Sequence, residues 1–323
     1  MAPLKIGLLG AAKIAPYAIL APARATGAAE IVSVAARDPV RAAAFAETYG
    51  IPRVAEDYEA LIADPEVEAI YNALPPSRHA DLTIAALRAG KAVLCEKPFS
   101  LGREDAAAMV AAAEETGVVL MEAMHARYHP QMARAAEIVA SGEIGELRTI
   151  TAIFDSPIPE TPGEFRFIPE LGGGALLDTG TYCLMWCRLF GGPGARVTSA
   201  RAEIGITGVD ETTWAQLAWP SGVTADVRCN IRGPRAAKLE LVGETGALSI
   251  RNPVAPQFYP SVITVNGREE PVTDEATYNF QLRAFVAAVR EGRSPAMTVA
   301  DSLEQMTLIQ TIRDAAVAAG ETA

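Results

Sequence analysis

The sequence has few cysteines, and none of them forms a pattern that would ligate a metal. The four cysteines, Cys95, Cys183, Cys187 and Cys229, include no Cys-x-x-Cys pair, and no histidine cluster accompanies them. Zinc sites need Cys and His ligands at short characteristic spacings, so we predict no metal site. Free, buried thiols in a reducing compartment are the simpler interpretation, and we expect a cytoplasmic protein.

Two classes of partner are also disfavoured by what the chain lacks. The net charge is −11 and no run of Lys and Arg occurs, whereas nucleic-acid binding depends on neutralising phosphates with such residues. No uninterrupted apolar run is long enough to span a bilayer. Lys13 interrupts the apolar stretch of residues 1–29, which argues against a signal peptide. We therefore expect neither a nucleic acid nor a membrane as partner.

The first ~120 residues instead alternate short apolar runs with alanine-rich helical patterns. The predicted strands are Leu4–Leu9, Ile31–Ala35, Ala69–Ala73, Ala92–Cys95 and Val118–Met121. The predicted helices are Arg41–Tyr49, Tyr58–Ile62, Asp81–Ala89 and Arg103–Glu115. Strand, helix and strand in this order predict an α/β domain with a doubly wound parallel sheet.

The pattern changes after residue 123, where we place a domain boundary. A helix at Pro130–Ser141, a strand at Leu147–Phe154 and a helix at Ala175–Phe190 come first. Strands then follow one another at Val197–Ile204, Thr212–Trp219, Val223–Asn230, Lys238–Val242, Ala247–Ile250 and Val262–Val265, before helices at Tyr278–Glu291 and Val299–Ala319. Consecutive strands with short turns predict an α+β domain with a large, mostly antiparallel sheet. Trp186, Trp214 and Trp219 are expected in its core.

A glycine turn follows the first predicted strand. Gly10, Ala12 and Ala15 occupy the positions of the G-x-G-x-x-G/A pattern, in which a turn and a small residue bring helix and strand close together. Backbone N–H groups at the start of the helix can then hold a pyrophosphate. Ala12 in place of the middle glycine weakens the match, and a plain strand–helix turn is the alternative. The position at the head of the βα alternation favours a dinucleotide site.

The end of the second strand indicates which dinucleotide is bound. NAD sites usually place an acid there for the ribose 2′-hydroxyl, but this strand ends Val34-Ala35-Ala36-Arg37. Arg37 can pair with a 2′-phosphate, whereas Asp38 comes one position later and is expected to cap a helix. NADP is the predicted cofactor and NAD the less favoured one. A solvated arginine in a turn is the alternative for Arg37.

Three side chains suited to proton transfer stand out. Lys97 follows the fourth strand, at the end where parallel sheets bind ligands, and Pro98 restricts its backbone. Asp178 and Tyr182 follow three glycines and would share one face of a helix. A carboxylate, a phenol and an ammonium suit proton transfer beside a hydride transfer. A surface lysine, an ordinary first-turn acid and a core tyrosine are the alternatives.

With these motifs, the chain resembles the glucose–fructose oxidoreductase / inositol dehydrogenase (Gfo/Idh/MocA) family over essentially its full length. The matching features are the glycine turn, Asn72–Pro76 with His79, Glu96–Pro98, and Gly173–Tyr182. Tyr182 together with Met121–Ala123 is similar to dimeric dihydrodiol dehydrogenases, NADP-dependent D-xylose dehydrogenases and glucose–fructose oxidoreductase, a subgroup that also favours NADP. His125 stands where that subgroup often has an aromatic residue, so the substrate stays open.

The resemblance implies a dinucleotide-binding Rossmann domain at 1–123 and a substrate-binding and oligomerisation domain at 124–323. The open face of the second sheet would join copies into a homodimer or homotetramer. The expected cofactor contacts are Gly10, Ala12, Lys13, Ile14, Arg37, Leu74, Pro75, His79, Glu96 and Lys97. The expected substrate contacts are His125, Arg127, Phe154 and Arg166, the last of these in a proline-rich loop that could act as a lid.

The implied reaction is NADP(H)-dependent hydride transfer to or from a CH–OH or carbonyl group of a sugar, dihydrodiol or similar small polar substrate. Tyr182 would carry the hydroxyl proton and Lys97 would favour its phenolate form. Asp178 would orient Lys97 or bind a substrate hydroxyl, and Lys97 as the proton carrier is the alternative. A catalytically silent dinucleotide-binding sensor is the competing function, but retention of both Lys97 and Tyr182 favours an enzyme.

Overall fold

The computed structural model describes residues 2–321, which divide into two compact units. The first unit contains the chain up to His125 together with Tyr278–Leu303, and the second contains Ala126–Thr277 together with the chain from Glu304 onward. The predicted domain ranges also include residues 1, 322 and 323, which lie outside the described residues. The functional division at 123/124 stays a prediction.

A five-stranded parallel sheet forms the centre of the first unit. Its strands are β1 (Leu4–Leu9), β2 (Ala29–Ala35), β3 (Ala69–Asn72), β4 (Ala92–Glu96) and β5 (Leu120–Ala123). They lie in the order β2-β1-β3-β4-β5, and every neighbouring pair is parallel. Strands of such sheets are covered on both faces, which explains why β3, β4 and β5 are buried throughout. The predicted parallel sheet is confirmed.

Helices connect these strands and begin where the sequence provides caps. They are α1 (Ala21–Thr26), α2 (Pro39–Tyr49), α3 (Tyr58–Ala63), α4 (His79–Arg88) and α5 (Arg103–Thr116). A π-helical turn, Pro16–Leu20, leads directly into α1. The Asp38 carboxylate accepts a hydrogen bond from the N–H of Val40 at 2.9 Å, which confirms the predicted cap of α2. Strand β5 starts and ends two residues later than predicted, and it extends past Met121 through Glu122, a buried acid that the apolar pattern excludes.

An eight-stranded sheet forms the centre of the second unit. Its strands are β6 (Leu147–Asp155), β7 (Arg196–Ile204), β8 (Asp210–Ala218), β9 (Thr224–Asn230), β10 (Ala236–Gly243), β11 (Ala247–Arg251), β12 (Val262–Val265) and β13 (Arg268–Pro271). Their order is β13-β12-β11-β10-β6-β9-β8-β7. The pair β6 and β9 is parallel and the other neighbouring pairs are antiparallel, which confirms the mostly antiparallel prediction. The sequence pattern misses β13, a polar edge strand without apolar alternation.

Helices cover one face of this second sheet. They include α6 (Pro130–Ala140) and α7 (Thr181–Gly191), and a π-helical turn, Leu176–Gly180, precedes α7. The helix predicted from Ala175 to Phe190 is confirmed, but its first turn is π-helical. Trp186 and Trp219 are buried as predicted. Trp214 is not: strand alternation turns it to the other face, where the Arg201 guanidinium lies 3.6 Å from its ring centroid.

The last two helices are α8 (Thr277–Glu291) and α9 (Val299–Glu321). Apart from Thr277, α8 belongs to the first unit. There Arg290 forms a bidentate ion pair with Glu68, with N–O distances of 2.7 and 2.9 Å. Thr298 and Asp301 cap α9 reciprocally, because each side chain accepts the backbone N–H of the other. Of the helices in residues 2–321, none combines the length and the apolar character that crossing a membrane would need.

Candidate active site

The glycine turn of the first unit has the local geometry that its pattern predicts. Gly10 has a φ of +97° and donates its N–H to the Ala35 carbonyl at 2.8 Å. A Cβ at Gly10 would lie 3.0 Å from Cδ2 of Leu74, so the turn after β1 and the loop after β3 pack directly together. Ala15 is fully buried, as close packing of helix and strand requires. Because the strand order reverses between β1 and β3, these residues lie at the switch point where such sheets bind ligands.

The residues that follow Gly10 leave the start of the helix accessible. Ala12 is half-buried, and Lys13 and Ile14 are exposed. The N–H of Ala15 is hydrogen-bonded to the Ala12 carbonyl at 3.1 Å, which closes a tight turn before Pro16. This exposed turn can present backbone N–H groups to a phosphate.

Two arginines stand at the end of β2. Arg37 is exposed and forms no ion pair within residues 2–321. Arg41, in the first turn of α2, donates from Nη2 to the Ala11 carbonyl at 2.8 Å and so lies against the glycine turn. Sequence reasoning missed Arg41, although its place three residues after the Asp38 cap puts it on the first helical turn beside β1.

Hydrogen bonds from Asn72 and His79 fix the loop after β3. Asn72 accepts the Leu74 N–H at 3.4 Å and donates to Thr83 Oγ1 at 3.3 Å. His79 is completely buried, and its two ring nitrogens lie 2.8 Å from the Leu74 carbonyl and 2.9 Å from the Pro98 carbonyl. Burial lowers the pKa of His79. In this position His79 ties the loop after β3 to the loop after β4.

A buried carboxylate precedes Lys97. Glu96 accepts the Tyr71 hydroxyl at 2.5 Å through Oε1 and the Lys97 N–H at 3.2 Å through Oε2. Lys97 is half-buried, and the Lys97–Pro98 peptide bond is cis. Burial, and secondarily the Glu96 charge, raises the pKa of Tyr71 far above its usual value. Tyr71 is a residue that sequence reasoning missed, because a tyrosine within a buried strand resembles ordinary core.

The end of β5 carries His125, which is also buried. Its ring centroid lies 4.2 Å from that of Tyr278 on α8. Burial, and secondarily the Glu96 charge, raises the pKa of Tyr278 above its usual range. His125 begins a short 3₁₀ turn that ends at Tyr128, and Arg127 within this turn is half-buried.

In the second unit, two glycines of the triplet leave no room for a side chain. A Cβ at Gly173 would lie 2.7 Å from the Arg166 carbonyl oxygen, and a Cβ at Gly174 would collide with Oδ1 of Asp210. Asp210 also accepts the Leu176 N–H at 2.8 Å through Oδ2. Its carboxylate therefore anchors the beginning of the helix that carries Asp178. Sequence reasoning missed Asp210, because its partners lie about 35 residues away in the chain.

Asp178 is paired with Arg166, two residues that the sequence singled out separately. Asp178 Oδ2 lies 2.9 Å from Arg166 Nε, and Glu164 holds Nη1 of the same guanidinium at 2.8 Å. The charge of Asp178 is the main factor that raises the pKa of Arg166. Asp178 lies in the π-helical turn and Tyr182 in α7, so the helix that carries them is not α-helical throughout, and their sharing of one face stays a prediction.

Tyr182 is almost entirely buried, with 4 % of its surface exposed. Its ring meets the ring of Phe154 edge-on, with centroids 5.4 Å apart. Phe154 lies near the carboxyl end of β6. The second unit thus brings two of the predicted site residues, Phe154 and Tyr182, into direct contact, and brings Arg166 and Asp178 together as an ion pair.

The described part of the chain contains no group of three or more His, Cys, Asp or Glu side chains arranged to hold a metal ion. The strand and helix ends described above carry an ammonium on Lys97, a phenol on Tyr182 and carboxylates on Glu96 and Asp178.

Comparison with known proteins accounts for both units. Residues 4–124 match the model of an oxidoreductase family with an NAD-binding Rossmann fold, Gfo/Idh/MocA, and residues 132–249 match the model of a Gfo/Idh/MocA C-terminal domain. The chain is 35% identical over 279 residues to a D-xylose 1-dehydrogenase (NADP(+)) of Haloferax volcanii, an alignment that covers 84% of this chain and 85% of the relative.

Two further relatives have related activities. A trans-1,2-dihydrobenzene-1,2-diol dehydrogenase of Mus musculus is 34% identical over 240 residues, which cover 73% of this chain and 70% of the mouse protein. A 3-ketoreductase of Actinomadura kijaniata, solved with NADP and TDP-benzene, superimposes with a TM-score of 0.89 at 33% identity and covers 97% of this chain and 98% of that chain. On this evidence of sequence and fold, the chain belongs to the Gfo/Idh/MocA family of oxidoreductases.

Proposed function

We propose that this chain is an NADP(H)-dependent oxidoreductase that moves a hydride between the nicotinamide and a CH–OH or carbonyl carbon of a sugar, dihydrodiol or similar small polar substrate. The observation that carries the proposal is the retention of two proton-transfer groups, Lys97 at the carboxyl end of β4 and Tyr182 beside Phe154. A hydride-transfer enzyme needs such groups beside the reacting carbon.

The residues present fit a dinucleotide with an extra phosphate. The turn at Gly10 offers a cradle that a Cβ would fill, and Ala12, Lys13 and Ile14 would hold the pyrophosphate through their backbone. Arg37 and Arg41 would pair with the 2′-phosphate. The Haloferax volcanii relative is an NADP(+)-dependent D-xylose 1-dehydrogenase, and the Actinomadura kijaniata relative was solved with NADP, which supports the same choice.

Other first-unit residues would complete this cofactor site. Leu74, which packs over Gly10, and the adjacent Pro75 would line it, and Glu96 would position Lys97 through the backbone. His79 would act indirectly, by holding the Leu74 and Pro98 carbonyls in place.

In the proposed mechanism, Tyr182 gives or takes the proton of the reacting hydroxyl and Lys97 stabilises the phenolate form. The bound nicotinamide supplies or accepts the hydride. Asp178, held by Arg166, orients the substrate or Lys97, and Phe154 packs against the Tyr182 ring so that the hydroxyl is fixed in direction. His125 and Arg127 are proposed as further substrate contacts.

The test is a panel of aldoses, anhydro sugars, trans-dihydrodiols and dicarbonyls, assayed through nicotinamide absorbance with NADP(H) and with NAD(H). At least one substrate should turn over, with NADP(H) preferred. Tyr182→Phe should reduce kcat by about 100-fold or more, whereas Tyr49→Phe, a tyrosine outside the proposed site, should not.

Two outcomes would contradict the proposal. Wild-type turnover by Tyr182→Phe across the pH range would exclude Tyr182 as the proton carrier. Binding of NADPH without turnover of any substrate in the panel would instead favour the dinucleotide-binding sensor.

We also propose that the uncovered face of the second sheet joins copies of this chain as a homodimer or homotetramer. This face carries Trp214 under Arg201 and a concavity of about 400 Å³, lined also by Thr151, Gln216 and Arg228. Trp214→Glu should shift the mass measured by light scattering towards the monomer, and an unchanged mass would contradict the interface.

A further inference from the structure

Arg235 lies beside the aromatic side chain that contacts Tyr182. It immediately precedes β10, and the register of β10 places Ala237 opposite Phe154 on β6. The Cζ of Arg235 is 5.5 Å from the Phe154 ring centroid and 3.7 Å from the Tyr259 ring centroid. Backbone pairing, rather than a mobile side chain alone, therefore brings this guanidinium to the carboxyl end of β6.

Neighbouring arginines are neutralised by acids of the second unit. Arg228 pairs with Asp155, and Arg232 pairs with Glu160 at 2.8 Å and with Glu211 at 2.6 Å. Arg235, three residues further on, forms no ion pair with any carboxylate in the part of the chain that the structure describes.

The environment of Arg235 makes an unpaired charge costly. Its Nε is shielded from solvent and has no hydrogen-bond partner among the described residues. Burial lowers the pKa of Arg235 from its usual value, and no nearby acid offsets the effect. Stacking on aromatic faces accounts for the plane of the guanidinium, but its N–H edge is the part that recognises anions. An anion absent from the chain itself would bind through the two Nη groups, which are not among the shielded atoms.

The distance to the proposed reacting group is short. Phe154 touches both residues, with 5.5 Å to the Cζ of Arg235 and 5.4 Å to the Tyr182 ring centroid. The distance from Arg235 Cζ to the Tyr182 ring centroid therefore cannot exceed the sum of these two distances. A substrate with a chain of several carbons can extend from one to the other.

We propose that Arg235 is a specificity-determining residue that binds an oxyanion of the substrate, so that the preferred substrate is an acidic polyhydroxylated molecule. The oxyanion is a carboxylate or a phosphate, and both chemistries suit the forked N–H donors of arginine. This inference rests on the proposed function, because it uses Tyr182 as the group beside the reacting carbon.

The experiment compares matched pairs of substrates that differ only at C6, where one member carries an anionic group and the other a neutral CH2OH group. D-Galacturonate is assayed against D-galactose, and D-glucose 6-phosphate against D-glucose, each with the full-length chain and NADP. The charged member of at least one pair should have a kcat/KM at least about 10-fold higher. A preference within the first pair identifies a carboxylate, and a preference within the second identifies a phosphate.

Variants then assign the preference to Arg235. Arg235→Gln should raise KM for the charged substrate by about 10-fold to 100-fold and leave KM for its neutral partner nearly unchanged. Arg235→Lys should raise KM for the charged substrate less than Arg235→Gln does, because lysine keeps the positive charge but lacks the paired N–H donors of the guanidinium. Arg232→Gln is the matched control: it removes an arginine of the same loop that already has acidic partners, and it should not change the preference.

A binding measurement separates failure of this inference from failure of the proposed function. Calorimetry with the NADPH-loaded protein measures the Kd of D-gluconate against that of neutral D-glucitol. Tighter binding of gluconate that Arg235→Gln abolishes supports the oxyanion site even if no turnover is found. Equal affinity for the two, or an equal loss for both in Arg235→Gln, would show that Arg235 only stacks on Tyr259 and would overturn the inference.

Discussion

In the first unit, the side chains proposed for chemistry follow the ends of buried parallel strands, and hydrogen bonds from neutral groups hold the loops that carry them. Tyr71 is hydrogen-bonded to Glu96, and Asn72 and His79 are hydrogen-bonded to the backbone of Leu74. In the second unit, the corresponding helix start is held mainly by acids, with Asp210 on the Leu176 N–H and Asp178 on Arg166.

Because neutral groups hold the loops of the first unit and carboxylates hold the helix start of the second, we expect the stabilities of the two units to respond differently to mutation and to pH. A strand end keeps its position when one hydrogen bond is lost, because the rest of the ladder remains. A helix start that rests on one carboxylate has less to replace it. All three tryptophans lie in the second unit, so tryptophan fluorescence follows that unit while circular dichroism follows the whole chain.

The largest expected effect is at Gly174. Gly174→Val combines a φ of +115° with a collision against Asp210, and we expect a loss of about 3–5 kcal/mol in the free energy of unfolding. Gly222→Val is the control, because Gly222 has a φ of +89° but open space around its Cβ; it should cost only about 1–2 kcal/mol. Equal losses in urea unfolding followed by tryptophan fluorescence would show that Asp210 does not demand the glycine.

An intermediate effect is expected at Tyr71. Tyr71→Phe removes the hydroxyl that donates to Glu96 and leaves a buried carboxylate short of one donor, which should cost about 1.5–3 kcal/mol. The loss should appear in unfolding followed by circular dichroism. Tyr49→Phe, which lacks a buried acidic partner, should be close to neutral. If tryptophan fluorescence alone registered the Tyr71→Phe loss, the assignment of that loss to the first unit would be wrong.

The smallest effect is a difference of sign in the pH dependence. Hydrogen bonds from Arg290 lower the pKa of Glu68, whereas burial raises the pKa of Asp210. Glu68 therefore contributes stability above the usual Glu pKa and loses it as pH falls through its lowered value. Asp210 behaves oppositely: stability is lost as pH rises from the usual Asp pKa through its raised value.

Glu68→Gln and Asp210→Asn test this contrast in thermal unfolding between pH 3 and pH 8, roughly the range over which carboxylates in proteins titrate. Relative to the wild type, Glu68→Gln should lose stability as pH rises and Asp210→Asn should gain it. The change in stability for Glu68→Gln is expected to be about 1 kcal/mol or less, because the Glu68–Arg290 pair is partly exposed. Parallel pH curves for the two variants would contradict the contrast.

The same contrast explains what sequence can predict here. Gly10, Arg37 and Lys97 follow apolar strands, so their place at one edge of a parallel sheet follows from alternation alone. Asp210 begins β8 and Arg235 immediately precedes β10, and the neighbours of these strands are set by pairing across the chain. The parallel pairing of β6 with β9 and the π-helical turn before α7 have no local signal either, so the partners of Asp178 and Phe154 become visible only in the fold.

The return of residues 278–303 to the first unit has a consequence for protein engineering. Tyr278 packs on His125 and Arg290 is paired with Glu68, so part of this unit comes from a segment more than 150 residues downstream of the rest. A fragment that stops after β5 would lack both partners and would expose the surfaces they cover. Exchanging the cofactor-binding half with that of a relative therefore requires transplanting two separate pieces of chain together.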